Sequence, residues 1–296
     1  MKVAFLGLGA IGAPMAKHLA VDPYDLTVWN RTLETARSFA EAHKVRFAST
    51  PREAVIDAEV VITCLPSSKE VEALLGGPDG IEAGIRDAAL FIDCTSGDPA
   101  TSAGIAQRLA VRGVSFIDAP VSGGVKGAVA GTLTVMCGAS EADLERARPI
   151  LETFGKKIVR CGEVGAGDAV KAMNQALLAI HIWSAGEALA ALAKLGVDTH
   201  VALDVINGSS GRSNSSENLF TERVIGRKFP RTFKLALLDK DVDIAANIAR
   251  QVDLDAPFVE LAARLFREAH SELGEDADHV EAVKVIEGRS GVEISR

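Results

Sequence analysis

Cysteine is scarce in this chain, and its four copies, Cys64, Cys94, Cys137 and Cys161, stand too far apart to form a Cys-x-x-Cys pair. That spacing suggests no zinc site, so no metal is expected; core packing in a reducing cytoplasm is the expected role. Basic clusters are missing too. The net charge is −8 and no Lys/Arg run or basic amphipathic stripe offsets it, which argues against nucleic acid as a partner. Long uncharged stretches are also lacking. The longest, between Lys171 and Glu187, has 15 residues without formal charge apart from any on His181, which is short for a bilayer, so no membrane partner is expected. No internal repeat, low-complexity segment or flexible linker interrupts the chain. Its 296 residues, 48% of them hydrophobic, suffice for a sizeable core in one or two domains.

What is present begins at residue 3. The run Val3-Ala-Phe-Leu-Gly7-Leu8-Gly9-Ala10-Ile11-Gly12 is an apolar strand that breaks into glycines and then into a helical pattern reaching about Ala20. A second strand follows at Leu26–Trp29. This is the layout of a dinucleotide-binding turn: the first glycine permits the tight turn, the second lets backbone approach a pyrophosphate, and the third allows close helix–strand packing. Lys2 with the apolar run to Ala16 superficially resembles a signal peptide. Cleavage there would delete the glycine turn, so the run is read as fold.

The residues after the second strand bear on the cofactor. An NAD site usually has Asp or Glu at this point to hold the ribose 2′-hydroxyl; this chain has Asn30-Arg31-Thr32. Arg31 offers a permanently charged fork suited to a 2′-phosphate, and Asn30 and Thr32 add neutral hydrogen-bonding groups. NADP is the expected cofactor, with NAD possible. An arginine that only solvates the start of the next helix is the alternative.

Strands and helices then alternate, with short apolar strands at Glu59–Leu65, Ala89–Asp93 and Val114–Asp118, and two more at Thr132–Cys137 and Lys157–Arg160 around a helix at Glu141–Phe154. Such alternation implies a mostly parallel sheet covered on both faces. Past Gly162 the pattern is helical throughout: a long Ala-rich helix from Asp168 to about Leu195, then Val201–Ile206, Ser215–Ile225, Phe233–Arg250 and Pro257–Glu272. A last short helix is expected from Asp278, capped with Glu281 three residues on. The fold class is therefore α/β: a Rossmann-type domain over 1–163, followed by an all-α substrate and oligomerisation domain over 164–296. So apolar a long helix must be buried on several faces, which suggests a homodimer or homotetramer.

On the long helix, Lys171, Asn174 and Gln175 share one face by their three- and four-residue spacing. A lysine among Ala, Val and Met is either a snorkelling side chain at a domain edge or a group fit for proton transfer. Ser122-Gly123-Gly124 follows a strand and suits anion binding by a hydroxyl and bare backbone N–H groups, though a plain glycine turn has the same residues. Arg212, in Ser209-Ser210-Gly211-Arg212-Ser213, can bind a carboxylate bidentately or cap a helix. Lys240, between Asp239 and Asp241, reads as a solvated face.

Four blocks together resemble the β-hydroxyacid dehydrogenases, specifically the 3-hydroxyisobutyrate dehydrogenase group. They are Gly7–Ala16; Asp118-Ala-Pro-Val-Ser122-Gly123-Gly124 with Gly131–Met136; Gly165–Asn174; and Leu238-Asp-Lys240-Asp241. The resemblance implies that Lys171 is the catalytic acid/base, that Ser122, Gly123 and Gly124 hold a substrate carboxylate, and that Lys240 reaches the cofactor or substrate across a cleft. It also implies that Leu65, Pro66 and Thr95 line the nicotinamide side, and it sets the Arg212 segment in a loop over the substrate. One position departs from the pattern: the family usually has Asn four residues after the lysine, and this chain has Gln175, the same amide on a longer stem. The implied reaction is hydride transfer between NADP(H) and a short 3-hydroxy acid or semialdehyde, with 3-hydroxyisobutyrate the leading substrate. Reduction of tartronate semialdehyde, glyoxylate or succinic semialdehyde is the alternative on the same scaffold. A non-catalytic NADP-binding protein is the alternative of another class, opposed by the presence of Lys171.

Overall fold

The computed structural model describes residues 1–295, which part into two compact units, Met1–Lys171 and 172–295. The first is built on β1 (Lys2–Leu6), α1 (Gly12–His18), β2 (Asp25–Trp29), α2 (Leu33–His43), β3 (Arg46–Phe47), α3 (Pro51–Val55), β4 (Val60–Thr63), α4 (Ser68–Leu75), α5 (Ile81–Gly84), β5 (Leu90–Asp93), α6 (Pro99–Ala110) and β6 (Ser115–Asp118). It continues through β7 (Val121–Ser122), α7 (Gly124–Ala130), β8 (Leu133–Gly138), α8 (Glu141–Phe154) and β9 (Gly155–Gly162). All nine strands form one sheet in the order β3-β2-β1-β4-β5-β6-β8-β7, with β9 on the other edge of β8. The six strands from β3 to β6 run parallel. β8 is antiparallel to β6 and β7, and β9 runs parallel to β8.

Strand alternation explains why the sheet is covered twice. Successive side chains point to opposite faces, so Val3, Phe5, Val60, Ile62, Leu90 and Ile92 join one core with Met15 of α1, Ala36 of α2 and Leu144 to Phe154 of α8. Ala4, Leu6, Val61, Phe91 and Phe116 join the other with Val55 of α3, Val71 and Leu75 of α4, and Ile105 and Leu109 of α6. Both faces are apolar because both are buried, as helix-covered parallel sheets require. Several helices start on the capping groups their sequence offers: the side chains of Thr50, Ser67, Asp98 and Ser140 accept hydrogen bonds from first-turn amides.

The second unit is helical. The long helix α9 (Ala166–Lys194) starts in the first unit and continues into the second, followed by α10 (Thr199–Asn207), a π-wound segment (Ser215–Val224), α11 (Leu235–Gln251), α12 (Pro257–Leu273) and α13 (Ala282–Ser290). Its core gathers Ile182, Trp183, Leu189, Phe220, Leu238, Val242, Phe266 and Val283. Asp278 and Glu281 make the expected reciprocal cap, but they cap a single 3₁₀ turn, His279–Glu281, that leads into α13. At 29 residues α9 is long and apolar enough, by length and composition alone, to cross a membrane. The count of uncharged residues concealed this, because Lys171 and Glu187 lie inside the helix.

Candidate active site

The glycine turn between β1 and α1 is shaped by contact. Gly7 has φ +105°, and a Cβ there would lie 2.3 Å from the Cys64 carbonyl oxygen; at Gly12 a Cβ would lie 2.1 Å from the Gly7 carbonyl oxygen. Both positions accept only glycine. A Cβ on Gly9 would instead meet no atom within 4 Å, so this backbone is bare on the side where a pyrophosphate would approach. The residues fit a dinucleotide on that ground.

Asn30 does more for the turn than its position suggests. Its Oδ1 accepts the Leu8 N–H at 3.0 Å, and its Nδ2 donates to the Thr32 carbonyl at 3.2 Å, so the side chain ties the glycine turn to the end of β2. Arg31 and Thr32 are exposed beside it. The nearby acid Glu34 pairs with Arg37 at 3.5 Å.

Leu65 and Thr95 are brought together by a hydrogen bond: the Leu65 N–H donates to Thr95 Oγ1 at 3.0 Å. Thr95 is buried, and its own N–H donates to Asp93 Oδ1 at 3.0 Å, where the Thr63 hydroxyl also donates at 2.7 Å. Burial pushes the Asp93 carboxyl up to about 6, overriding the two threonines, which favour the charged form.

Two more aspartates share this interior. Asp118, at the end of β6, accepts the Gly165 N–H at 2.7 Å and the Asp168 N–H at 2.9 Å. Gly138 and Gly167 are glycines because a Cβ would come within 2.2 Å and 2.8 Å of that carboxylate. Burial raises the Asp118 and Asp168 carboxyls above the ordinary range, and the nearby Asp118 adds to the shift at Asp168. Asp118 therefore joins the strand that precedes Ser122 to the first turn of α9, which carries Lys171.

Ser122 ends β7, paired with Thr134. Gly123 and Gly124 follow at φ +135° and +62°, exposed and in the region that favours glycine. Lys171 is 8% exposed and Gln175, one turn on, is 5% exposed, while Asn174 is exposed and donates to Gln175 Oε1 at 3.4 Å. Gln175 Nε2 donates to buried Asp241 Oδ2 at 2.9 Å, and the Lys240 ammonium lies 2.9 Å from Asp241 Oδ1. Lys240 is thus no plain solvated residue; it is three-quarters buried and paired. Arg212 lies in the loop after α10, largely exposed and 3.9 Å from Glu217.

Sequence reasoning singled out neither Asp93, Asp168 nor Asp241 as a site residue. For Asp93 and Asp168 the available signal was an aspartate closing an apolar strand or opening an apolar helix, where a charge survives burial only with partners; Asp241, the seventh residue of α11, carried no such signal. Among the described residues, no group of three His, Cys, Asp or Glu side chains is arranged to hold a metal ion, and the four cysteines are free thiols.

Comparison with known proteins agrees with this architecture. Residues 2–162 match the profile of the NAD binding domain of 6-phosphogluconate dehydrogenase, and residues 165–286 match that of the NAD-binding region of NADP-dependent 3-hydroxyisobutyrate dehydrogenase. The chain is 34% identical to 2-(hydroxymethyl)glutarate dehydrogenase of Eubacterium barkeri, over 100% of this chain and 98% of the relative. It is 35% identical to 3-hydroxyisobutyrate dehydrogenase of Pseudomonas aeruginosa over 94% of each. Among solved structures, Mycobacterium tuberculosis 3-hydroxyisobutyrate dehydrogenase with L-serine superposes with a TM-score of 0.87 at 33% identity, covering 96% of this chain and 98% of that one. A glycine turn built for a dinucleotide, a mostly parallel sheet followed by a helical unit, and matches spanning the whole chain lead to one conclusion: the protein belongs to the β-hydroxyacid dehydrogenases, a family of NAD(P)-dependent oxidoreductases, and is 3-hydroxyisobutyrate dehydrogenase-like.

Proposed function

We propose that this chain is an NADP(H)-preferring dehydrogenase of a short 3-hydroxy acid, with 3-hydroxyisobutyrate as the leading substrate, organised as a cofactor domain over 1–163 and a substrate and oligomerisation domain over 164–296. The observation that carries the reading is Lys171, an ammonium group only 8% exposed on the helix that follows the dinucleotide unit. A buried lysine at this point of the helix matches the acid/base position that the family resemblance implies. Three substrates named for the relatives, 3-hydroxyisobutyrate, 2-(hydroxymethyl)glutarate and L-serine, share a hydroxymethyl group on the carbon next to a carboxylate. That chemistry is the class proposed here.

In this reading the Ser122 hydroxyl and the Gly123 and Gly124 amides hold the substrate carboxylate, with Arg212 as a second cation for it. In this role Lys171 takes the hydroxyl proton during oxidation as the neutral amine, becoming an ammonium, and as the ammonium gives a proton to the carbonyl oxygen during reduction. Gln175, its Nε2 committed to Asp241 and its Oε1 accepting from Asn174, orients the same hydroxyl through its amide. The nicotinamide, when bound beside Leu65, Pro66 and Thr95, supplies the hydride chemistry. Gly7 to Gly12 receive the pyrophosphate, Asn30, Arg31 and Thr32 the adenosine ribose phosphate, and Lys240 adds a cation toward cofactor or substrate. The protein is proposed to be cytoplasmic. Exposed apolar side chains on the helices, among them Leu177, Val201, Val205 and Phe258, support a homodimer or homotetramer.

A spectrophotometric screen of short hydroxy acids and semialdehydes with NADP(H) and NAD(H) tests the reading. Turnover of a hydroxymethyl acid with NADP(H) favoured is the expected result. Tight NADP binding with no turnover on any of them would establish the non-catalytic alternative instead.

A further inference from the structure

Asp168 is the third residue of α9 and stands three positions before Lys171. An acid in the first turn of a helix commonly serves that helix's own amides. Asp168 instead reaches away from it. Its Oδ1 accepts the Gly97 N–H at 2.9 Å, and its Oδ2 accepts the Ser102 hydroxyl at 2.7 Å. Gly97 belongs to the loop between β5 and α6, and Ser102 to the first turn of α6. That loop also carries Thr95, whose hydroxyl oxygen receives the Leu65 N–H, and Asp98, whose N–H donates to Ser68 Oγ at 2.7 Å. A Cβ on Gly97 would lie 2.6 Å from Ser68 Oγ and 2.9 Å from Asp168 Oδ2, so the carboxylate rests directly against loop backbone. From the other side, the Asp168 N–H is held by Asp118 at 2.9 Å.

We propose that Asp168 is a positioning residue: through Gly97 and Ser102 it fastens the Thr95 loop to the turn of α9 that bears Lys171, and so fixes the ammonium relative to that loop. The kinetic consequence rests on Lys171 being the acid/base; the fastening itself does not. A misplacement of about 1 Å at a reacting group can cost roughly a hundredfold in rate. Loss of the clamp should therefore lower kcat while leaving ligand affinity in place.

The experiment compares Asp168→Ala, Asp168→Asn and Ser102→Ala with the wild-type protein by amide hydrogen exchange, NADPH binding and steady-state kinetics. Asp168→Ala should speed exchange in peptides covering 94–98 and 166–171 by about tenfold or more. It should lower kcat by about 10- to 100-fold, with the NADPH Kd and hydroxy-acid KM within about threefold of wild type. Asp168→Asn keeps a carbonyl oxygen for Gly97 and an amide that the Ser102 oxygen can accept, so kcat should return to within about threefold. Ser102→Ala, which removes one bond of the pair, should show the same pattern at smaller size even if Asp168→Ala folds poorly. Unchanged exchange in both peptides overturns the proposal. So does a parallel loss of kcat and NADPH affinity that Asn fails to repair, which marks a merely structural residue. If the wild-type enzyme turns over no hydroxy acid, the functional reading fails, and the exchange measurement still decides the clamp.

Discussion

Replacing Gln175 with Leu removes a hydrogen bond donated to a carboxylate in a dry interior. Gln175 and Asp241 are 5% and 3% exposed and meet at 2.9 Å. Hydrogen bonds to charged groups contribute about 1.5–3 kcal/mol. Asp241 keeps Lys240 at 2.9 Å after the change, so its charge is not orphaned and the lower half of that range applies, about 1.5–2 kcal/mol. For a chain of this length that corresponds to a fall in Tm of roughly 2–3 °C. Gln175→Asn does not restore the contact: one methylene shorter, the amide withdraws by about 1.5 Å, which takes a 2.9 Å bond out of range. The family's usual Asn is therefore not an innocuous replacement in this chain, whose Asp241 is matched to the longer stem. Gln175→Glu is the diagnostic variant. It sets two carboxylates face to face, so it should be less stable than the Leu variant at pH 7 and should recover as the pH falls toward 4. Thermal unfolding by circular dichroism and kcat/KM on the best hydroxy acid read both effects. A Leu variant within 1 °C and twofold of wild type, or a Glu variant whose stability ignores pH, would refute the reasoning.

Arg31→Ala should weaken NADP binding by about 10- to 150-fold, the equivalent of one charge-assisted hydrogen bond, and leave NAD nearly unchanged; equal losses for both cofactors in a fluorescence titration would remove Arg31 from the 2′-phosphate. Lys171→Ala should lower turnover by roughly two to four orders of magnitude with NADPH affinity intact, and turnover within a few-fold of wild type would make the lysine structural. Asp93 gives a pH dependence opposite to that of a salt-bridged carboxylate. Its folded value, about 6, lies above its ordinary 3.8, so the folded state binds the extra proton. Its contribution is fully present below about pH 4 and is lost as pH rises through 6, at a cost of roughly 3 kcal/mol by neutral pH. Asp93→Asn, which keeps the acceptor for Thr63 and Thr95, should therefore gain stability relative to wild type between pH 4 and 7; parallel Tm curves across that range would contradict it.

Local chemistry makes most of the fold legible in the sequence. The glycine turn, the alternating strands and the capping pair at Asp278 each depend on residues within about ten positions of one another, where spacing alone carries the information. The strand Val121–Ser122 and the helix Gly124–Ala130 were illegible because both are short and hinge on two consecutive glycines at positive φ, which read equally well as a bare turn. The π-wound segment at Ser215–Val224 was legible as helix, since its apolar positions keep a helical spacing, but not as π.

The site was legible one residue at a time and not as a set of partners. Asn30 stands out in the sequence as a cofactor group, and its side-chain carbonyl also holds the Leu8 N–H, a link that no spacing announces. Asp168 and Gly97 lie 71 positions apart, and Gln175 and Asp241 lie 66 apart. No periodicity connects such pairs, because burial and backbone geometry decide them only after the elements have packed. A buried carboxylate must nevertheless find partners, so each aspartate at the end of an apolar strand or the start of an apolar helix carried an unanswered question in the sequence itself. In the first unit the answers converge on Thr95 and the Lys171 turn, and in the second on Gln175 and Lys240. Burying charge at these points costs stability, as the raised Asp93, Asp118 and Asp168 carboxyls show, and an apolar core of the same shape would avoid that cost. What an apolar core would not supply is directional contact within each unit: Asp168 to Gly97 and Ser102 in the first, and Asp241 to Gln175 and Lys240 in the second.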